Sequence, residues 1–205
     1  MQNELQRFEQ TLLANMRAFG VELSPDAVAR LGTYYSLLTR WNDRLHLVAP
    51  CSPEEFATRH VLESLMLLKY LPQNAKLADI GSGGGLPIIP CLIARPDLEA
   101  TLIESSHKKA VFLREAINQL RLNAVIIAQR FENVEPPSVS FVTCRALDRF
   151  TEKLPMLINW APFESTLLLF GGETLGKELG GKVEEYLIPL SDKRFLFILA
   201  ADNAD

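Results

Sequence analysis

Two carboxylates and three glycines have the types and the spacing of a nucleotide-binding loop. Asp79 lies in the run L-A-D-I, and Gly81, Gly83 and Gly85 alternate through the turn that follows it, G-S-G-G-G-L-P. Glu104 follows the next apolar run, A-T-L-I, about one βαβ step further along the chain. Glycine at these places lets backbone N–H groups approach a ligand that a Cβ atom would keep away. The sequence therefore predicts a nucleotide site flanked by carboxylates.

The residue after the third glycine helps to decide which nucleotide the loop takes. The dinucleotide fingerprint G-x-G-x-x-G requires glycine or alanine where this chain has Leu86, which counts against NAD. The observed order suits S-adenosylmethionine instead, because Asp79 can hold the ammonium group of its amino-acid end. Glu104 would accept hydrogen bonds from both ribose hydroxyls. The alternative is that the glycines only form a tight turn and that Glu104 is a solvated residue at a strand end.

Further candidate residues follow the third and fourth predicted strands. Phe131 and Glu132 suit an adenine ring, because the ring needs an apolar face and its N6 amino group needs an acceptor. A solvated turn is the alternative for this pair. Arg145 ends the fourth strand, where it would border the cofactor and hold an anionic substrate or the methionyl carboxylate. The alternative for Arg145 is a plain charge at a strand end.

The reaction type follows in part from what the sequence lacks. The N/D-P-P-Y/F/W turn that is common in methylation of exocyclic amines does not follow the fourth predicted strand. Attack through pyrimidine C5 needs a thiolate, for which Cys144 is the candidate by position, with buried packing as its alternative interpretation. Guanine N7 carries an in-plane lone pair and no proton to remove. Orientation beside a sulfonium methyl group then suffices, and no catalytic acid or base is predicted.

The elements that must position these residues change in kind near residue 75. Upstream, apolar residues recur at helical spacing, with Ser24-Pro25 and Ser52-Pro53 as helix starts. Downstream, strands predicted at 77–80, 100–104, 124–128 and 139–143 alternate with helices at 87–95, 107–121 and 150–159. This alternation predicts an α/β fold with a doubly wound, mostly parallel sheet over residues 75–205, preceded by a helical extension over residues 1–74.

The last third of the chain predicts a hairpin and a loop. Two strand-like runs, Glu184 to Pro189 and Phe195 to Leu199, indicate an antiparallel edge pair that closes the sheet. The density of glycine between Gly171 and Gly181 indicates a mobile loop.

Composition excludes several classes of protein. A chain of 205 residues with 48% hydrophobic content has room for one main domain. The start of the chain lacks a signal pattern, and the longest apolar stretch, 86–94, contains two prolines, so we expect a cytoplasmic protein without a membrane span. Three cysteines and three histidines lack the spacing of a disulfide framework or a metal site, so no metal is predicted.

The charge is unevenly distributed. Residues 151–205 hold 5 Lys+Arg against 9 Asp+Glu, which leaves 16 against 16 in residues 1–150 of a chain with net charge −4. Ten basic residues near predicted element ends either converge on one phosphate-binding face or are scattered and solvated. They are Arg40, Arg44, Arg59, His60, Lys108, Lys109, Arg114, Arg130, Arg145 and Arg149.

Taken together, the motifs resemble a known family. They are W-N-D-R-L-H-L from Trp41, R-H-V-L-E-S-L from Arg59, D-I-G-S-G-G-G-L-P-I-I-P from Asp79, I-A-R-P from Ile93, K-K-x-x-F-L-R from Lys108, R-F-E-N from Arg130 and T-C-R-A from Thr143. With them the sequence resembles the bacterial small-subunit ribosomal RNA guanine-N7 methyltransferases of the G type, also called glucose-inhibited division protein B.

The resemblance implies a fold, a cofactor and a substrate. The fold is the Rossmann-like class I methyltransferase sheet, and the cofactor is S-adenosylmethionine, with contacts at Gly81, Leu86, Phe131, Glu132 and Arg145. The implied substrate is a guanine near the decoding site, in small-subunit ribosomal RNA or in the assembled subunit. We expect the chain to act as a monomer.

The sequence departs from the family pattern at four places. It has His46-Leu47-Val48 for N-L-T, Val139-Ser140 for F-D, Cys144 for serine, and Phe170-Gly171 for Lys-Gly. The missing lysine leaves a second hypothesis open, in which the chain is a non-catalytic RNA- or subunit-binding protein that keeps the fold. A pyrimidine C5 enzyme that uses Cys144 is a third.

Overall fold

Eight α-helices and seven strands make up the part of the chain that the computed structural model describes, residues 2–145, 150–181 and 183–201. The helices are α1 (Gln2–Asn15), α2 (Pro25–Leu45), α3 (Pro53–Glu55), α4 (Glu63–Leu65), α5 (Ile88–Ala94), α6 (His107–Leu120), α7 (Phe150–Trp160) and α8 (Glu173–Leu179). The strands are β1 (Lys76–Ile80), β2 (Glu99–Ile103), β3 (Ala124–Ile127), β4 (Phe141–Arg145), β5 (Thr166–Gly171), β6 (Glu184–Leu187) and β7 (Phe195–Ala200).

The strands form one sheet in the order β3-β2-β1-β4-β5-β7-β6. The first five strands in this order are parallel, β7 is antiparallel to β5, and the edge strand β6 is antiparallel to β7. Ile80 pairs with Ile103 and with Cys144, so β1, β2 and β4 end at the same edge. The order of the strands reverses at β1, where open α/β sheets bind ligands. The predicted doubly wound sheet and its closing hairpin are confirmed.

The central strand β5 is apolar on both faces because helices cover both sides of the sheet there. Leu168 and Phe170 of β5 belong to one buried cluster, whereas Leu167 and Leu169 belong to another. Successive side chains of a strand point to opposite faces, so a continuous run of leucines is what a doubly covered strand requires.

Helices of the first 70 residues share the first of these clusters with the sheet. Phe8 of α1 and Leu31 of α2 lie in the same cluster as Leu77 and Leu102. As predicted, Ser24 caps α2, where its Oγ accepts from the Ala27 N–H at 3.1 Å.

The second predicted helix start is also found. Ser52 Oγ accepts from the Glu55 N–H at 3.1 Å, and Pro53 begins α3. The helical segment continues from α3 through π-helical turns (Phe56–Leu62), α4 and a 3₁₀ turn (Met66–Tyr70). No helix in the described ranges has both the length and the apolar character that a membrane crossing needs.

Two local predictions were wrong. The fourth strand was predicted at 139–143 but lies at Phe141–Arg145, because pairing begins where Phe141 meets Leu77 of β1 and Thr166 of β5. The glycine-rich stretch from Gly171 to Gly181 contains α8 and is not a continuous loop, since burial of Leu175 against the sheet stabilises a short helix.

Candidate active site

A cavity of about 1030 Å³ opens at the carboxyl edge of the sheet. Its walls come from the loop after β1, the end of β2, the turn after β3 and the ends of β4 and β5. The segments 47–49 and 59–63 of the helical region close another side. A volume of this size is at the upper end of the range for small-molecule sites.

Seven of the nine predicted site residues line this cavity. They are Gly81, Gly83, Leu86, Glu104, Phe131, Glu132 and Arg145. Asp79 and Gly85 do not line it. The structure therefore brings most of the predicted site together and assigns these two residues to the support of the loop.

The loop after β1 turns through three glycines in the left-handed region. Their φ angles are +70° at Gly81, +53° at Gly83 and +83° at Gly85. The Gly81 N–H donates to the Ile103 carbonyl at 2.9 Å, which fixes the loop to β2. A Cβ atom on Gly85 would lie 2.2 Å from Ile89 Cδ1, so this glycine is required by packing beneath the loop.

Glu104 is held by the glycine loop itself. It is buried, its Oε2 accepts from the Gly83 N–H at 2.8 Å, and its Oε1 accepts from the Ser106 N–H at 2.7 Å. A carboxylate has about four lone-pair sites, so both oxygens keep acceptor capacity for a ligand. The orientation of Glu104 is thus set by the protein alone.

Asp79 is fully buried beneath the loop. Its Oδ1 accepts from Thr143 Oγ1 at 2.7 Å, and its Oδ2 has no hydrogen-bond partner among the described residues. Burial raises the pKa of Asp79 to about 7, although the bond from Thr143 opposes this. Its backbone carbonyl accepts from Ser82 Oγ at 3.0 Å, which supports the loop. In this arrangement Asp79 does not reach the cavity, and its contact with an ammonium group stays a prediction.

Phe131 and Glu132 place an apolar ring beside an unused acceptor. The Phe131 ring is buried and meets the edge of Trp160, with centroids 5.8 Å apart. Glu132 Oε1 lies 3.3 Å from Lys153 Nζ, whereas its Oε2 is buried without a hydrogen-bond partner among the described residues. A buried acceptor in this state suits a ligand that brings a donor.

Charged residues gather on the β4 and β5 side of the cavity. Glu63 is buried, and its Oε1 accepts from Arg194 Nη2 at 2.6 Å, while its Oε2 lies 3.4 Å from Arg145 Nη2. Burial raises the pKa of Glu63, and the two arginines oppose that rise. The guanidinium of Arg145 lies over the Phe170 ring, 5.7 Å from its centroid. Arg145 is thus already paired, in contrast to the free anion-binding group that the sequence suggested.

Several lining residues were missed from the sequence. Leu47, Val48, Glu63 and Arg194 all line the cavity. Glu63 follows Arg59 by four positions in R-H-V-L-E-S-L. Residues at this spacing lie on the same face of a helix, so the sequence could have indicated that Glu63 lies on the same side as Arg59. Arg194 contacts Glu63 across 131 positions, and no pattern in the sequence indicates that contact.

The basic residues converge only in part. Five of the ten line the cavity, namely Arg59, His60, Lys109, Arg130 and Arg145. Arg40, Arg44, Lys108 and Arg114 do not line it, and Arg149 lies outside the described residues.

The thiols are not placed for nucleophilic attack. Cys144 and Cys91 are fully buried, and neither lines the cavity. Within the described ranges, no group of three or more His, Cys, Asp or Glu side chains is arranged to hold a metal ion.

Comparison with known proteins identifies the family. Residues 27–201 match the family described as rRNA small subunit methyltransferase G. The chain belongs to this family. Curated methyltransferase G proteins from Xanthomonas campestris pv. campestris (strain B100) and Sorangium cellulosum are 47% and 38% identical to it, over 128 and 172 residues. These matches cover 62% and 80% of this chain, and 60% and 72% of the relatives. The chain thus spans about 60% of the length of the first of these methyltransferase G relatives.

Solved structures confirm the class I methyltransferase fold. One neighbour is a SAM dependent methyltransferase from Aquifex aeolicus, with a TM-score of 0.58, 14% identity, and 81% of this chain and 97% of that chain covered. Another is magnesium protoporphyrin IX methyltransferase from Synechocystis PCC 6803 with bound SAM, with a TM-score of 0.56, 14% identity, and 87% and 98% covered. At these identities the likeness concerns the fold alone.

Proposed function

We propose that this chain transfers a methyl group from S-adenosylmethionine to N7 of a guanine in small-subunit ribosomal RNA. The observation that carries the proposal is one cavity lined by two acidic side chains, Glu104 beside the glycine loop and Glu132 beside Phe131. Family membership and the names of the curated relatives support it.

The cavity fits the adenosine part of the cofactor on the β2 and β3 side. Glu104 would accept from the ribose hydroxyls, because its carboxylate is fixed by two backbone N–H groups. Phe131 would cover a face of adenine, and the Glu132 carboxylate would accept from its amino group. The bound cofactor would supply a methyl group on a positively charged sulfur.

The remaining side of the cavity orients the target base. Guanine N7 attacks with a lone pair and releases no proton, so the protein needs to hold the base in line and to keep water out. Leu47, Leu86 and Ile188 line the cavity and would shield the bound base from water, and paired Arg145 and Arg194 give the site fixed polar groups. No general base is required.

Binding of S-adenosylhomocysteine tests the cofactor site. Glu104→Gln removes the charge that the ribose hydroxyls would meet, and we expect Kd in calorimetric titration to rise about tenfold or more. Glu99→Gln is the matched control, since Glu99 is an exposed residue at the start of the strand that precedes Glu104. The Kd of this variant should stay within about twofold of that of the unsubstituted protein. Equal Kd values for the two variants would refute the assignment.

Transfer itself separates an enzyme from a non-catalytic binder. Mass spectrometry of ribosomal RNA digests from cells with and without the chain should show N7-methylguanine only in its presence. No difference would favour the binding protein that the missing lysine at Phe170 suggests. We expect small subunits or structured RNA to be methylated in preference to free GTP, because the base must be presented from a loop or turned out of its stack. We infer that the chain acts as a monomer in the cytoplasm.

A further inference from the structure

His60 lies on the side of the cavity where the target base would enter. Glu104 directly follows β2 and Arg145 ends β4, and β1 lies between these strands. Because neighbouring strands are about 4.8 Å apart, the two strand ends are separated by about 10 Å. His60 lines the cavity and contacts Arg145, so it lies with the β4 side and away from the adenosine end.

Glu63 and Arg145 fix the position of His60. Arg145 Nη2 lies 3.4 Å from Glu63 Oε2 and donates to the Arg59 carbonyl at 2.8 Å. These contacts join the end of β4 to the π-helical turns and to α4. π-Helical turns are frequent at functional sites.

The same arginine determines which nitrogen of His60 carries the proton. Arg145 Nη2 lies 3.3 Å from His60 Nδ1. A guanidinium has donors only, so Nδ1 must accept. The proton of the neutral ring is then on Nε2, and no described residue accepts a hydrogen bond from it.

His60 is also neutral over the working pH range. Burial lowers its pKa to about 3, and the nearby cations Arg145, Arg59 and Arg194 lower it in the same direction. His60, an uncharged N–H donor, thus lines the cavity, and its ring packs against Phe56 with centroids 5.2 Å apart.

We propose that the Nε2–H group of His60 donates a hydrogen bond to O6 of the target guanine and so determines base specificity. This inference rests on the proposed function. O6 lies next to N7 on the same edge of guanine, whereas adenine has an amino donor at that place, which would oppose the N–H group. A neutral donor leaves the N7 lone pair free for attack and adds no charge beside the sulfonium. Glu63 and Arg145 act as positioning residues.

Variants of His60 test its role in substrate use. Methyl transfer is measured with small ribosomal subunits from cells that lack this chain. We expect His60→Ala to lower kcat/KM about tenfold or more, with the Kd for S-adenosylhomocysteine within twofold. His60→Gln keeps an amide donor and should recover much of the loss. His107→Ala is the control, because His107 is exposed and does not line the cavity. An equal loss of cofactor binding in His60→Ala would assign a structural role and overturn the proposal.

Once the methylated nucleotide has been located by mass spectrometry of RNA fragments, base analogues at that position test the O6 contact itself. 2-Aminopurine lacks O6, so the kcat/KM of the unsubstituted enzyme should fall on this base by about the same factor as the kcat/KM of His60→Ala falls on guanine. When His60→Ala acts on 2-aminopurine, kcat/KM should fall no further, because both changes remove the same hydrogen bond. Inosine keeps O6 and should be methylated at nearly the guanine rate. If His60→Ala lowers transfer equally on guanine and on 2-aminopurine, the O6 contact is refuted. No transfer by the unsubstituted enzyme to any RNA would overturn the proposed function, and this inference with it.

Discussion

Replacement of Gly85 by alanine separates the packing of the glycine loop from its conformation. At φ +83° an alanine is strained in the left-handed region, which costs about 1 kcal/mol. Its Cβ would also lie 2.2 Å from Cδ1 and 2.6 Å from Cγ1 of Ile89, so rotation of the terminal methyl alone cannot relieve the clash. Overpacking of this kind costs about 1 to 3 kcal/mol, which gives about 2 to 4 kcal/mol in total.

Gly20→Ala is the matched control for this substitution. Gly20 lies in the left-handed region at φ +66° and ψ +30°, but a Cβ there would meet no heavy atom within 4 Å. Its cost should therefore be the conformational part alone, about 1 kcal/mol. Urea unfolding followed by circular dichroism measures both free energies, and in thermal scans Gly85→Ala should lower Tm by about 4 to 16 °C. If the two alanine substitutions lower the free energy of unfolding equally, Ile89 adopts another rotamer at no cost and the argument from packing is refuted.

Three further outcomes follow from the buried groups around the loop. The pKa of Asp79 is about 7 in the folded protein and about 3.8 in the unfolded chain, so the folded state binds a proton that the unfolded state releases. The stability of the unsubstituted protein therefore falls as pH rises from about 4 through 7, and Asp79→Asn should remove this pH dependence. Urea unfolding should show the variant gaining a few kcal/mol relative to the unsubstituted protein across that window, and parallel profiles would disprove the raised pKa. Cys144→Ser should transfer methyl groups at a rate within about threefold of the unsubstituted protein, since Cys144 is buried and does not line the cavity. Loss of transfer in a correctly folded variant would instead support the thiolate mechanism. Tyr34→Phe removes the 2.6 Å bond from the Tyr34 hydroxyl to the Gly84 carbonyl and should cost about 1 to 3 kcal/mol in the same unfolding assay. An unchanged unfolding free energy would show that this bond is replaced at no cost.

The cofactor side of the cavity could be predicted from the sequence, whereas the substrate side could not. Glu104 and Phe131 follow strands whose order is predictable, and parallel strands present their carboxyl ends at one edge. The pairing of Glu63 with Arg194 joins residues 131 positions apart through the closing hairpin, which only tertiary packing specifies.

The burial of Asp79 was also beyond prediction from the sequence. An acidic residue before a glycine turn is expected to face the ligand, but the side chain meets Thr143 of β4 beneath the turn. Alternation along the strand decides this, because the register of β1 against β4 pairs Asp79 with Thr143.

The glycine loop rests on a residue from the opening helices. Tyr34 of α2 contacts the Gly84 carbonyl, and Leu38 and Leu47 would crowd a Cβ atom at Gly84. Leu47 and Val48 also form part of the cavity wall. The amino-terminal helices are therefore not interchangeable. If the sheet of this chain were joined to a different helical segment, the support of the glycine loop and part of the cavity wall would have to be rebuilt at the same time.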